Sequence, residues 1–277
     1  MLNKICAMVV IYNPDSYVLE RIDSYINYVD EVFLVDNGGG DYLKNEIKNS
    51  NFKDKLFYYT ENENMGISSA INKIADIVYS KGYRWLLTMD QDSTFKNFEV
   101  INNYFQTDNE NQGVGIYCPA HLTGRRVYPK DDISYIKSVM TSGNILNLDV
   151  FKLVGGCDER FFIDRVDHDL CASIIENGFY IKRVNHCELI HNLGEINLNI
   201  KYEVTNHSPL RRYYITRNTF YFIEKHLFKM PVYCLRYFFS FIVEIKNVYF
   251  YEKNRFDKTK YIILGFFHYI FRKSGKL

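Results

Sequence analysis

The chain has 277 residues, 47% of them hydrophobic and 17% aromatic, the composition of a globular protein long enough for one large domain and an appendage. Its formal net charge is only +1, yet from Lys201 onward 15 Lys/Arg stand against 5 Asp/Glu, so the first two hundred residues are net acidic and the remainder is suited to an anionic surface, membrane or nucleic acid. No signal-peptide pattern opens the chain, no apolar run reaches the roughly 18 residues of a membrane span, and six scattered cysteines without a CxxC pair read as reduced core thiols in the cytosol.

Ile5 to Tyr12 is a continuous apolar run closed by Asn13-Pro14, the pattern of a buried parallel strand. Val18, Ile22, Tyr25, Ile26 and Val29 follow at helical spacing, and a second short strand, Glu31 to Val35, ends in Asp36-Asn37-Gly38-Gly39-Gly40. A short helix near Tyr42–Lys48 leads to a third strand at Leu56–Thr60. Asn64-Met65-Gly66 opens another helix with Ile67, Ala70, Ile71, Ile74, Ile77 and Val78 on its apolar face, and a fourth strand runs from Arg84 to Met89. Strand–helix alternation of this kind predicts βαβ units and a largely parallel sheet. Farther on, Gly113–Cys118, Tyr135–Met140, Tyr180–Val184 and Glu188–His191 read as strands, Asp149–Val154 and Val166–Glu176 as helices, and from about Pro209 the pattern is helical and aromatic.

The chemistry concentrates at the ends of the predicted parallel strands, where open α/β sheets place their ligand crevice. Asn13 ends the first strand, Asp36-Asn37 the second, and Asp90-Gln91-Asp92-Ser93 the fourth. Carboxylates are hard ligands that suit Mg²⁺ or Mn²⁺, ions that commonly hold substrate phosphates, although an acidic pair at a strand end is equally the mark of a solvated turn. Asp36 has the chemistry to accept hydrogen bonds from a nucleobase or ribose, against the ordinary turn that Asn-Gly signals. Asn64 and Gly66 stand where helix-terminal amides meet a ligand or are simply capped. Downstream, Asp167 and Asp169 fall in the first turn of a helix, where the dipole favours negative charge. The apolar Phe161-Phe162-Ile163 beside them suggests a partly dry pocket wall on which a carboxylate can act as general base, so Asp167 reads equally as base or as helix-start cap, while Asp169 reads as structural.

In order along the chain, Val9-Val10-Ile11-Tyr12-Asn13, Val35-Asp36-Asn37, Asn64-Met65-Gly66-Ile67 with Ala70 and Asn72, Asp90-Gln91-Asp92-Ser93, Ser142-Gly143-Asn144, and Gly155-Gly156-Cys157-Asp158-Glu159 through Asp169 match a known set of motifs. Over roughly residues 5 to 220 the sequence resembles the family 2 glycosyltransferases with the GT-A fold, a mixed, mostly parallel sheet with helices on both faces. It is most like their bacterial rhamnosyltransferase subgroup, through Phe162-Ile163-Asp164-Arg165-Val166-Asp167 and the later Leu189-Ile190-His191-Asn192-Leu193-Gly194-Glu195. The resemblance implies that Asp36 binds the base, with Asn13 beside it. It makes Asp90 a nucleotide contact, Asp92 a metal ligand and Asp167 the catalytic base, and brings His191 near the metal or diphosphate. Val166 stands where the broader family often has Glu, a change the rhamnosyltransferase-like members share.

The implied reaction is metal-dependent transfer with inversion, in which an acceptor hydroxyl deprotonated by Asp167 displaces a nucleoside diphosphate. The resemblance further implies dTDP-L-rhamnose as donor and a lipid-diphosphate-linked saccharide as acceptor, in bacterial surface-polysaccharide assembly. Another hexose or an N-acetylhexosamine from a UDP- or dTDP-sugar is the nearest alternative, and a nucleotide-binding module the non-enzymatic one. Arg211-Arg212-Tyr213-Tyr214-Ile215-Thr216-Arg217-Asn218 resembles a segment just after such catalytic cores, in which Arg211, Arg212 or Arg217 is suited to diphosphate or acceptor phosphate, or to an exposed helix face. The expected organisation is a catalytic domain over 1–220 and a basic aromatic helical extension over 221–277. Val232–Val243 and Tyr261–Phe271 in that extension have the composition of interfacial helices, at the inner face of the cell membrane, or of helices packed on the core. Nucleic acid is not expected as a partner, since no recognition-helix or RNP pattern is present.

Overall fold

The computed structural model describes residues 3–109, 111–122, 129–191 and 206–277, with the side chains of Gln112 and His191 outside that description. The first half is the expected alternation: β1 (Ile5–Ile11), α1 (Val18–Ile22), β2 (Glu31–Asp36), α2 (Leu43–Asn49), β3 (Leu56–Thr60), α3 (Gly66–Ser80) and β4 (Trp85–Asp90). There follow β5 (Ser93–Phe95), α4 (Phe98–Thr107), β6 (Val114–Leu122), β7 (Ile133–Tyr135), β8 (Asn144–Asn147), α5 (Leu148–Leu153), α6 (Val166–Glu176) and β9 (Tyr180–His191). Three long helices close the chain: α7 (Pro209–His226), α8 (Pro231–Tyr251) and α9 (Arg255–Ile270).

The sheet runs β3-β2-β1-β4-β8-β6-β9-β5, with β7 on β9. β1 to β4 are mutually parallel, β8 is antiparallel to both β4 and β6, and β9 is parallel to β6. β1 shows why its run is continuously apolar. Ile5, Ala7, Val9 and Ile11 face one core with α1, α2 and α4, while Cys6 and Met8 face the other with α3, α5 and α6. Side chains alternate across a strand, so one covered on both faces needs apolar residues at every position. All six cysteines are buried and unpaired.

Several expectations are corrected. Tyr135–Met140 is not a strand: β7 stops at Tyr135, and the strand of this region is β8, whose four residues carry Asn at both ends. The two expected strands Tyr180–Val184 and Glu188–His191 are one strand, β9, whose register against β6 jumps from Val184 to Glu188. The intervening Asn185 turns its amide to Asp131 and Ser134 instead of the ladder. The expected boundary after residue 220 falls inside α7, which is capped by Ser208 and buries Arg212, Arg217, Tyr221, Phe222 and His226 along its length. α9 packs against it so closely that a Cβ on Gly265 would stand 2.5 Å from the carbonyl oxygen of Tyr213.

Candidate active site

Register brings the polar strand ends together, since Ile11 pairs with Asp36 and Val10 with Asp90. The loops after β1 and β4 are clasped by Gln91, whose side chain accepts from the Tyr12 amide at 2.8 Å and donates to the Tyr12 carbonyl at 3.1 Å. Arg21, bidentate to Asp15, also donates to the Gln91 carbonyl at 2.9 Å. These bonds fix Gln91, the residue between Asp90 and Asp92, and both carboxylates are half-buried in the wall of a cleft of about 1110 Å³.

Asp36 lies deeper, buried with its carboxylate accepting from the Gly38 amide at 2.6 Å, the Gly40 amide at 3.2 Å and the Tyr58 hydroxyl. Burial, then this bond, raises the Tyr58 phenol above its ordinary value. At this point the cleft wall is Tyr12 and Asn37, while Asp36 and exposed Asn13 stand outside the lining and shape the glycine loop. Asn13 has φ 43° and donates its amide to the Gly38 carbonyl at 2.7 Å. Asn64 accepts the Gly66 amide at 3.0 Å, and the next amide, Ile67, donates to the Phe162 carbonyl at 2.8 Å. The start of α3 thus holds the acidic loop, and both Asn64 and Gly66 line the cleft.

That loop delivers Asp167 on the first turn of α6, after two consecutive non-glycine residues with positive φ, Asp164 at 63° and Arg165 at 68°. Such backbone costs about 1–3 kcal/mol per residue and persists only where the surroundings hold it. α7 does the holding: Asn218 donates to the carbonyls of Ile163 and Asp164 at 2.8 and 3.0 Å, and fully buried Arg217 donates to the Arg160 carbonyl at 3.0 Å. Burial raises the Asp167 carboxyl, but the His168 ring at 3.3 Å, the His168 amide at 2.8 Å and Arg165 together outweigh it, and the net shift is downward. Asp167 is therefore a carboxylate at neutral pH, ready to accept a proton. Asp169 is structural, buried between His226 at 2.9 Å and Lys225 at 2.7 Å.

Another part of the wall comes from α7 and α8. Arg211 lines it and pairs with Asp164 at 2.5 Å, while buried Arg212 is held by Glu252 and by Glu244 at 3.5 Å. Both arginines are thus engaged with carboxylates, and Arg212 shares the exposed-helix expectation least. His207, also lining the cleft, is pushed down to about 3 by burial and by Arg211, Arg212, Arg165 and Lys258, so it is neutral in the working range. His191 ends β9 opposite Ser93, with its side chain outside the described residues, as are Asn192 to Glu195.

Sequence reasoning missed Gln91 as a clasp, Glu244 and His207 as wall residues, and Phe162 as the partner of Gly66. Only His207 had a nearby signal, the Ser208-Pro209 helix start that follows it. Gln91 was legible as part of a motif but not as its internal brace.

The profile of the family described as Glycosyl transferase family 2 matches residues 6–148, from β1 to the first residue of α5. The chain is 27% identical over 248 residues to the dTDP-rhamnosyl transferase RfbF of Shigella flexneri, covering 82% of each. Among solved structures it is similar to residues 1-349 of TarS from S. aureus in complex with UDP-GlcNAc, with TM-score 0.63, 16% identity and coverage of 96% of this chain and 80% of that one. It is also similar to the mannosyltransferase PcManGT from Pyrobaculum calidifontis in complex with GDP-Man and Mn²⁺, with TM-score 0.60, 11% identity and coverage of 99% and 89%. The structural likenesses establish the shared fold. The profile match spans the strands that carry Asp36, Asp90 and Asp92, over more than half of the sequence, and the chain belongs to glycosyl transferase family 2.

Proposed function

We propose that this glycosyltransferase moves L-rhamnose from dTDP-L-rhamnose, with inversion and with the help of a divalent cation, to a lipid-linked saccharide. The observation that carries the reading is the placement of Asp90, Asp92 and Asp167 on one cleft, together with similarity to a dTDP-rhamnosyl transferase over most of both chains. Among the described residues no three His, Cys, Asp or Glu side chains gather into a cage for a metal. Two carboxylates on one wall instead fit the mode in which Mg²⁺ or Mn²⁺ takes its other ligands from a diphosphate and water. Asp92 is the residue suited to hold such an ion, with Asp90 beside it toward the nucleotide, and the ion when bound would supply Lewis-acid stabilisation to the leaving diphosphate. Asp167 accepts the proton of the attacking hydroxyl, and a single protein base suffices because the leaving group needs no protein acid. His168 and Arg165 keep that base ionised, and Phe162 and Ile163 line the same cleft.

A thermal-shift panel of dTDP-L-rhamnose, UDP-GlcNAc and GDP-mannose, each with and without Mn²⁺, tests the donor. At about 100 times Kd a donor adds about 2.7 kcal/mol, which for a chain this size raises Tm by roughly 5–10 °C. We expect that rise with dTDP-L-rhamnose and Mn²⁺ together; a rise confined to another sugar nucleotide overturns the assignment.

The same proposal places the enzyme on the cytoplasmic membrane surface. No helix among the described residues is long and apolar enough to cross a membrane. α8 and α9 pack on the core through Cys234, Phe241, Val248 and Gly265, yet leave Leu235, Phe239, Phe250 and Phe267 exposed at 49–67%. Lys229, Arg236, Lys246 and Lys260 are interspersed among them, which suits anionic lipid. The full-length protein is expected to pellet with anionic phosphatidylglycerol liposomes, and a Phe239→Glu/Phe250→Glu variant to pellet several-fold less. Equal pelleting removes the membrane role.

A further inference from the structure

α8 has three faces. Cys234, Phe241 and Val248 are buried against the core, and Val232, Leu235, Phe239, Ile242 and Phe250 are exposed. The third face carries Ser240, Glu244 and Asn247, spaced i, i+4, i+7, and all three line the cleft. In a helix whose other residues are mostly apolar or aromatic, Glu244 is accounted for by its arginine partners, and Ser240 and Asn247 are left without a packing reason.

The stripe stands beside the proposed base. Tyr237, one turn before Ser240, stacks edge-on against His168 with ring centroids 5.3 Å apart. Glu244, one turn after Ser240, bonds Arg165 at 2.9 Å. Both partners flank Asp167 in sequence, so Ser240 sits on the turn between two contacts that bracket the carboxylate. Among the described residues the Ser240 hydroxyl and the Asn247 amide make no hydrogen bond within the protein. Glu244 is different: Arg165 and Arg212 hold it, and it fixes the helix to the acidic loop.

An inverting displacement requires the nucleophile and the leaving group on opposite sides of the reacting carbon. With the diphosphate on the strand ends around Asp90 and Asp92, the attacking hydroxyl lies at Asp167 and the rest of the acceptor extends to the wall beyond it. That wall is α8. A hydroxyl and a carboxamide, each able to donate and accept, match the alternating hydroxyls of a neutral sugar ring. We infer that Ser240 and Asn247 form a subsite for the sugar of the acceptor, with Glu244 as a positioning residue that sets the stripe against Asp167. This rests on the reading of the cleft as a glycosyl-transfer site. The exposed apolar face of the same helix then lies next to the subsite, where a lipid-anchored sugar would arrive.

Saturation-transfer NMR on the full chain tests the subsite without turnover. The probes are methyl α-L-rhamnoside, methyl β-D-glucoside and methyl N-acetyl-β-D-glucosaminide, with dTDP and Mn²⁺ measured separately. At least one glycoside is expected to receive saturation from the wild type and from Asp92→Ala, and to lose it at least five-fold in Ser240→Ala/Asn247→Ala. The double variant is expected to bind dTDP as the wild type does. Retention of the glycoside signal in the double variant, or no signal from any glycoside with the wild type, overturns the subsite. Loss of dTDP binding together with glycoside binding in the double variant overturns it as well, as the mark of a merely structural role. Failure of dTDP to bind the wild type counts separately, against the proposed donor, and leaves the glycoside comparison readable.

Discussion

Asp167→Asn is expected to lower turnover by about 10²–10⁴-fold, the range that a positioned general base contributes. The substitution keeps the side chain's shape and an oxygen to accept the His168 amide, so the start of α6 loses little and Tm should move by no more than a few degrees. Donor binding should survive, because Asp167 stands on the first turn of α6 and not on the strand ends. Asp92→Ala should behave in the opposite way, losing the Mn²⁺-dependent thermal shift along with turnover. Near-normal turnover by Asp167→Asn would falsify its assignment as base. The pH profile adds a second reading. A base must be deprotonated to act, and Asp167 is held below the ordinary carboxylate value, so the acid limb of kcat/KM should lie below that value. His168 supplies the leading contributions that oppose burial, so His168→Ala should move the limb to higher pH, with activity lost earlier as pH falls. The same sign applies to stability: the depressed carboxyl contributes above its unfolded pKa, and the contribution disappears as pH falls through the folded one.

The parallel half of the sheet was legible because its strands are buried on both faces and read as unbroken apolar runs, with helices of clear period between them. Legibility ended where burial became one-sided or the strand short. β8 has only four residues, and its identity as the antiparallel insert between β4 and β6 depends on pairings far apart in sequence. β9 was divided by Asn185-His186-Cys187, whose hydrogen-bond partners lie in the segment before β7 and in the loop that opens α4.

The candidate site divides in the same way. Asp90, Asp92 and Asp167 stand out in the sequence because strand ends and a helix start mark them locally, and all three line the cleft. The part of the wall built by α7 and α8 was not legible, since the polar stripe of α8 has meaning only once both helices pack against the acidic loop. Arg211 and Arg212 show the limit most plainly. Charge suggested anion binding for both, whereas Asp164, Glu244 and Glu252, which hold them, are up to 47 residues away from Arg211 and 40 from Arg212.

Gly66→Ala is the substitution expected to damage the site most through the fold alone. Gly66 has φ +80°, where a side chain costs about 1–2 kcal/mol. Its added Cβ would also stand 2.5 Å from the Phe162 carbonyl oxygen and 2.6 Å from the Phe162 ring. That carbonyl accepts the Ile67 amide, and Ser68 bonds the neighbouring Phe161 carbonyl, so the acidic loop cannot retreat without breaking both bonds. Each broken bond costs about 1 kcal/mol more, for a total of about 3–4 kcal/mol and a fall in Tm of roughly 5–10 °C. Turnover should fall further than stability alone explains. The displaced segment leads directly to Asp164, Arg165 and Asp167, and a shift of about 1 Å at a reacting group is enough to cost roughly 10²-fold. Gly82→Ala supplies the control, because Gly82 has φ +94° with no atom within 4 Å of an added Cβ. It should lose about 1–2 kcal/mol to the same backbone strain while leaving kcat unchanged. Equal effects of the two substitutions on kcat would mean that contact with Phe162 does not position the acidic loop.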